Sequence, residues 1–264
     1  MTLGSRVVSV DLGWKESTRH RTAVAVLSGE GTIRVARLSL SGGAEPFVDQ
    51  FARHLVGLVA PGGLLLLDIP VDGCEGLSRE RPHRGFDRRL IRAGIPLLPP
   101  YKAAGYGSRL GQAVRSLNPA VTVQETYPYA ILRVLWALRR AERLGALRAL
   151  EPLTLEEAQW REWPPRYKRA RRRDERRKAL REIHGLLTHP DLALHFEPPL
   201  PAPDADPLDG VADCYDACLG LIPGFLGSDH PWVFRAGDAG GGSMLILADR
   251  ALRARLAGCY NPTP

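Results

Sequence analysis

Five acidic residues stand where a folding chain has little reason to put them. Asp11 lies near the end of the apolar run VVSVDL at 7–12, Asp68 follows four leucines in LLLLDIP at 64–70, and Glu125 follows Val121 and Val123. A buried carboxylate without a partner is expensive, so each needs a cation, a hydrogen-bond donor or a metal ion. Asp213 and Asp216 complete the set. They are three residues apart in VADCYDACLG, hence on one face of any helix formed there, where like charges repel. Hard oxygen donors without histidine or thiolate suit magnesium or manganese rather than zinc. Two such ions roughly 4 Å apart would activate water and stabilise a leaving oxygen in phosphodiester cleavage.

The elements that must position these residues can be read from periodicity. Residues 7–12, 22–28 and 32–40 read as a three-stranded meander, the last two strands joined by the tight GEG turn at 29–31. A helix over 46–59, with Phe47, Phe51, Leu55 and Leu58 on one face, is stopped by ProGlyGly at 61–63. LLLLDIP then reads as a strand buried on both faces, as in a parallel sheet. A short helix around 84–93, a strand at 121–125 and a helix over 128–144 follow, while most of 71–120 carries no clear periodicity. The stretch 154–188 reads as one or two helices, with 166–178 helical throughout. The proline-rich PPLPAPDADP at 198–207 leads into a helix over 207–222. There Asp206 reads as the N-cap, Pro207 as a first-turn residue and Asp209 as a capping-box acid, and Gly220 would keep the acidic face open. A hairpin near 232–248 ends the reading.

This order predicts an α/β fold, a five-stranded mixed sheet flanked by helices, within a single domain spanning 1–264. Segment 145–205 would be a basic α-helical insertion. Asp11, Asp68 and Glu125 would then stand at the ends of adjacent strands, where open α/β sheets place ligands.

The net charge is +7, and much of it is local: RYKRARRRDERRK at 166–178 sets nine basic residues against Asp174 and Glu175. Lys168, Arg169, Arg172, Arg173 and Arg176, with Arg81 and Arg88 from a second cluster, are the candidate nucleic-acid contacts. Trp163 and Tyr167 would stack on bases. No apolar run is long enough to span a bilayer, and no export signal opens the chain, so a cytoplasmic protein without a membrane partner is expected. Cys74, Cys214, Cys218 and Cys259 lack zinc-ligand spacing and read as small buried hydrophobes in a reduced protein.

Together VVSVDLGW (7–14), LLLLDIP (64–70), VQETYPY (123–129) and DCYDA (213–217) resemble a widespread uncharacterised family of predicted nucleases with a ribonuclease-H-like fold. The resemblance runs from residue 7 to about 248. It includes RPHRGFDRR (81–89), with Asp87 and Arg88 in matching positions and Phe86 where the family often has cysteine. More distantly the scheme is similar to Holliday-junction resolvases, which carry one acid on the first strand, one on the fourth and an aspartate pair on the last helix. That likeness implies metal-ligand roles for Asp11, Asp68, Asp213 and Asp216, leaves Glu125 as an additional catalytic acid or an orienting residue, and allows a homodimer.

The expected function is therefore a Mg2+- or Mn2+-dependent nuclease acting on structured or double-stranded DNA or RNA. Two alternatives stay open. One is a nucleotide-dependent phosphotransferase of the actin/sugar-kinase type, which shares the sheet and the Asp-x-Gly of Asp11-Leu12-Gly13. The other is a non-catalytic nucleic-acid-binding protein. Walker-type, dinucleotide-binding, HExxH and GxSxG motifs do not occur.

Overall fold

The computed structural model describes residues 5–13, 22–38, 47–148, 152–168, 170–238 and 241–260. Its centre is an eight-stranded mixed sheet in the order β6-β3-β2-β1-β4-β5-β8-β7. The strands are β1 (Ser5–Asp11), β2 (Thr22–Leu27), β3 (Thr32–Leu38), β4 (Val59–Leu67), β5 (Thr122–Thr126), β6 (His195–Phe196), β7 (Val233–Asp238) and β8 (Gly242–Leu247). β1, β2 and β3 form the antiparallel meander, β4 adds parallel to β1, and β5 adds parallel to β4. Strands overlap each of the five stretches expected, but β4 begins earlier than expected, at Val59, runs through Pro61-Gly62-Gly63 and ends at Leu67, one residue before Asp68. The sheet is wider than expected because the C-terminal hairpin joins it, β8 pairing parallel with β5, and two-residue β6 extends β3.

Helices cover both faces. Along β1 the side chains alternate: Val8 and Val10 join a core layer with Phe51 and Leu55 of α1 (Phe47–Leu58) and Leu110 and Val114 of α3 (Ala104–Leu117). Val7 faces the other way, onto a larger core built from α4 (Pro128–Arg140), α6 (Arg173–Leu187) and α7 (Leu208–Leu226). A third cluster joins α2 (Gly85–Arg92) and α8 (Arg250–Tyr260) to the β7–β8 hairpin.

Several elements depart from expectation. α3 was not anticipated, its sequence AGYGSRLGQAVRSL being too rich in glycine for a confident helical pattern. It forms because Leu110 and Val114 are buried against the sheet. The insertion is less helical than expected. α5 (Glu157–Arg161) is a single short helix, and residues 162–168 and 170–172 are not helical before α6 begins at Arg173. Consecutive prolines at 164 and 165 explain the break. α7 starts at Leu208 with Pro207 in the cap position, so Asp206 is not the N-cap; it takes both carboxylate oxygens to Arg173 instead, at 2.7 Å each. Among the described residues no helix is long and apolar enough to cross a membrane.

Candidate metal-ion site

One strand and one helix run along each other in register to build the site. On β1, Val7, Ser9 and Asp11 point to the α7 face. A Cβ on Gly224 would lie 2.5 Å from Val7, and one on Gly220 would lie 2.5 Å from the Ser9 hydroxyl, so both glycines are required by the close approach. Two strand residues advance about 6.8 Å. Four helical residues advance about 6 Å. The pairs Val7–Gly224 and Ser9–Gly220 are therefore followed by Asp11 against Asp216. Gly220 packs against the sheet rather than leaving an open face.

Asp68 reaches the same place from β4. Leu66 belongs to the α7-side core, and Asp68, two residues on, shares its side of the sheet. Its backbone N–H donates to the Val10 carbonyl at 3.1 Å, extending the β1–β4 ladder past the last strand residue. Asp11, Asp213 and Asp216 are buried and Asp68 is half-buried.

A lysine stands among these carboxylates. The Lys168 ammonium lies 3.2 and 3.3 Å from the two Asp11 oxygens and 3.6 Å from Asp213 Oδ1, and it also pairs with Asp216 Oδ2. The preceding residue, Tyr167, donates its hydroxyl to Asp216 Oδ1 and is itself buried. The buried Tyr167 ring cannot stack on a base at the surface, whereas the Lys168 side chain stays 39% exposed while its ammonium pairs with the carboxylates. The non-helical segment carries them inward. Arg176 of α6 holds that segment, its Nε donating to the Tyr167 carbonyl at 2.8 Å while its guanidinium pairs with Asp209 in the first turn of α7. Asp209 is thus an ion-pair partner, beyond the dipole role expected of it.

The electrostatics reflect crowding. Burial pushes the Asp11 carboxyl well above its ordinary range; Lys168 opposes this, and Asp216, Asp68 and Asp213 reinforce it. Burial likewise raises Asp68 to about 8, with Lys168 and a hydrogen bond to Asp11 working against burial and the Asp216 charge adding to it. Burial acts to lower Lys168, yet the charges of Asp216, Asp11 and Asp213 outweigh it and hold the ammonium well above its usual value. Burial and Asp216 raise the Tyr167 hydroxyl, so it remains a donor.

Glu125 does not join this group. β5 places Val123 on the α1–α3 side, and Glu125, two residues on, shares that side. There its Oε1 accepts from the backbone N–H of Val71 and Asp72 at 2.8 and 3.3 Å and from Arg84 Nη1 at 2.6 Å. Oε2 accepts from Arg84 Nη2 at 2.7 Å. Arg84 continues to Asp87 at 2.9 and 3.1 Å and to the Asp72 carbonyl at 2.8 Å. Burial pushes the Glu125 carboxyl up, against the pull of Arg84 and the two backbone N–H groups. Glu125 is thereby a strut that fixes the chain just after Asp68. A shallow cavity borders both regions, lined by Asp68, Pro70, Arg84, Glu125, Tyr127 and Met244 among others.

The basic residues divide into two sets. Arg81 and Arg88 are exposed, as are Arg166, Arg171 and Arg172, the last 4.0 Å from Glu175. Arg173 is held by Asp206 and Arg176 by Asp209, so both dock α6 onto the segment that leads into α7. Arg169 lies outside the described residues. Sequence reasoning missed Lys168 as a member of the acidic site, and missed the structural roles of Tyr167, Arg84 and Arg176. The visible signal was the single lysine in the run RYKRARRR.

Among the described residues no group of three or more His, Cys, Asp or Glu side chains is arranged as a ready metal cage. The donor set nevertheless suits a hard cation. It consists of carboxylate oxygens alone, and three of the four carboxylates share a single ammonium. Comparison of the chain with protein-family models, with curated proteins and with solved structures finds no match in any of the three.

Proposed function

We propose that this protein is a divalent-metal-dependent nuclease that hydrolyses phosphodiester bonds in structured or double-stranded nucleic acid. The observation that carries the reading is the convergence of Asp11, Asp68, Asp213 and Asp216 on one side of the sheet, with Lys168 as the cation among them. Gathering four carboxylates there is unfavourable unless cations or protons offset their repulsion, which a divalent ion would do. The strand order β3-β2-β1-β4-β5, with its antiparallel meander and two parallel additions, supports a ribonuclease-H-like core to which β6 and the hairpin are additions. The resemblance in the four acidic motifs points the same way.

Asp11 and Asp68, with Asp213 and Asp216, would hold Mg2+ or Mn2+. When bound, the ion supplies Lewis-acid polarisation of the phosphate and a more acidic water. The chain itself supplies orientation. Glu125 and Arg84 fix the turn beyond Asp68, Tyr167 holds one oxygen of Asp216, and the α7 glycines keep the helix against β1. Arg81, Arg88, Arg166, Arg171 and Arg172 are the exposed cations for phosphate contact.

The test is cleavage of duplex, branched and single-stranded DNA and RNA with Mg2+ or Mn2+, by wild type and by Asp11→Asn and Asp216→Asn. Metal-dependent cleavage lost in both variants is expected. Metal binding with no cleavage of any of these substrates would sink the nuclease reading. A second reading, a non-catalytic nucleic-acid-binding protein, is favoured by Lys168, whose ammonium partners three of the carboxylates. It requires nucleic-acid affinity that is unchanged or improved by Asp11→Asn.

A further inference from the structure

We propose that Lys168 is a resident cation of the site. Its ammonium takes the position among Asp11, Asp213 and Asp216 that a second divalent ion would occupy, so the site loads one divalent ion, held by Asp11 and Asp68. This rests on the metal-dependent reading above and departs from the two-ion arrangement expected of such a carboxylate set.

The geometry separates the carboxylates into two groups. Asp11, Asp213 and Asp216 all reach the ammonium. A divalent ion seated on those three at about 2 Å would need the ammonium withdrawn. Asp68 stands outside the ion-pair set. It lines the cavity, which Asp11, Asp213 and Asp216 do not, so an incoming ion meets Asp68 first.

The chemistry of the residue agrees. Arginine dominates this segment, from Arg166 to Arg173, yet among the described residues the cation it sends into the carboxylates is its only lysine. An ammonium is a compact charge with three donors that can point to three separate carboxylates, whereas a guanidinium is a planar fork suited to one or two. The delivery is also rigid. Tyr167, adjacent in sequence, is packed in the α4–α6–α7 core, bonded to Asp216 through its hydroxyl and to Arg176 through its carbonyl. A residue that moved aside for a second ion would have to drag this anchor with it.

The experiment counts Mn2+ bound to the full chain, by electron paramagnetic resonance of free ion and by calorimetry. Wild type is expected to bind one ion, Lys168→Arg one, and Lys168→Met two, because removing the ammonium frees the second position. Two ions on wild type would overturn the inference while leaving a metal site intact. A single ion on folded Lys168→Met would also overturn it. No ion on folded wild type would instead remove the metal-dependent reading, and this inference with it. A second measurement does not depend on the Met variant folding: amine acylation of wild type, read by mass spectrometry. Lys168, its ammonium held by three carboxylates, is expected to react more slowly than Lys102 and Lys178, equally so with and without saturating Mn2+. Acceleration at Lys168 on adding Mn2+ would show that the ion displaces it, and would overturn the proposal.

Discussion

Asp68 and Glu125 stand one register step apart on adjacent parallel strands, and that step turns their carboxylates to opposite faces of the sheet. Leu67 is the partner of Glu125 across β4 and β5, so Asp68, one residue later, points the other way. Two acids that look equivalent in sequence therefore do different work. One belongs to a crowded anionic group; the other anchors a guanidinium.

Glu125→Gln is expected to act on stability rather than on ion binding. It leaves Arg84 buried without its main counter-charge, and breaking a buried pair in this way costs about 3–5 kcal/mol. Urea unfolding should show the loss. Mn2+ affinity of the folded fraction should stay near wild type; a large drop there would make Glu125 part of the ion site after all.

The metal-free protein should become less stable as pH rises from about 4 to about 8. Asp68 keeps its proton to about 8 in the folded chain, while the unfolded carboxyl releases it near 3.8. In that window the folded state binds more protons, so stability falls with rising pH. Asp11, also raised, contributes in the same sense. Lys168 is shifted above its ordinary 10.5, so its contribution is present throughout this window and is lost only at higher pH. Denaturant unfolding at several pH values checks the slope, and Asp68→Asn should flatten it. A stability that rises with pH across the window would contradict the crowded-carboxylate account.

Gly220→Ala should destabilise the fold by about 1–3 kcal/mol, since the added methyl meets the Ser9 hydroxyl at 2.5 Å and Thr126 at 3.1 Å. Ser9→Ala in the same chain should recover part of the loss. Thermal melts of the two single variants and the double variant form the required cycle.

If nucleic acid is the partner, the two sets of arginines should behave differently. Arg81→Ala, Arg88→Ala and Arg172→Ala should each weaken binding and lower the salt dependence by about one phosphate contact. Arg173→Ala should leave the salt dependence alone and lower stability modestly through loss of its pair with Asp206. Fluorescence anisotropy over a range of salt concentrations separates the two.

Asp11 and Asp68 were legible because each interrupts an apolar run at a strand end, and Asp213 and Asp216 because their spacing sets like charges on one apolar helix. Glu125 stays open between ligand and orienting residue in the sequence because strand alternation sorts acids onto faces only once the register with β4 is known. Lys168 and Tyr167 were hidden by composition: nine basic residues suggested one solvated helix, although Pro164 and Pro165 stood before it as a breaking signal. The separate strut of Arg84, Asp87 and Glu125 spans 41 residues from Arg84 to Glu125, and nothing local announces it. α3 stayed obscure for the opposite reason, its glycines masking a helix that tertiary contact makes stable.

The matched advance of β1 and α7 works as a pair of rulers zeroed at Val7 and Gly224. Changing a side chain along either ruler alters the fit locally. Inserting or deleting one residue between those marks and the acids is a different kind of change: it turns Asp11 through to the far face of its strand, or swings Asp213 and Asp216 about 100° around their helix. The site should therefore tolerate variation in residue type along these two elements far better than any variation in their length.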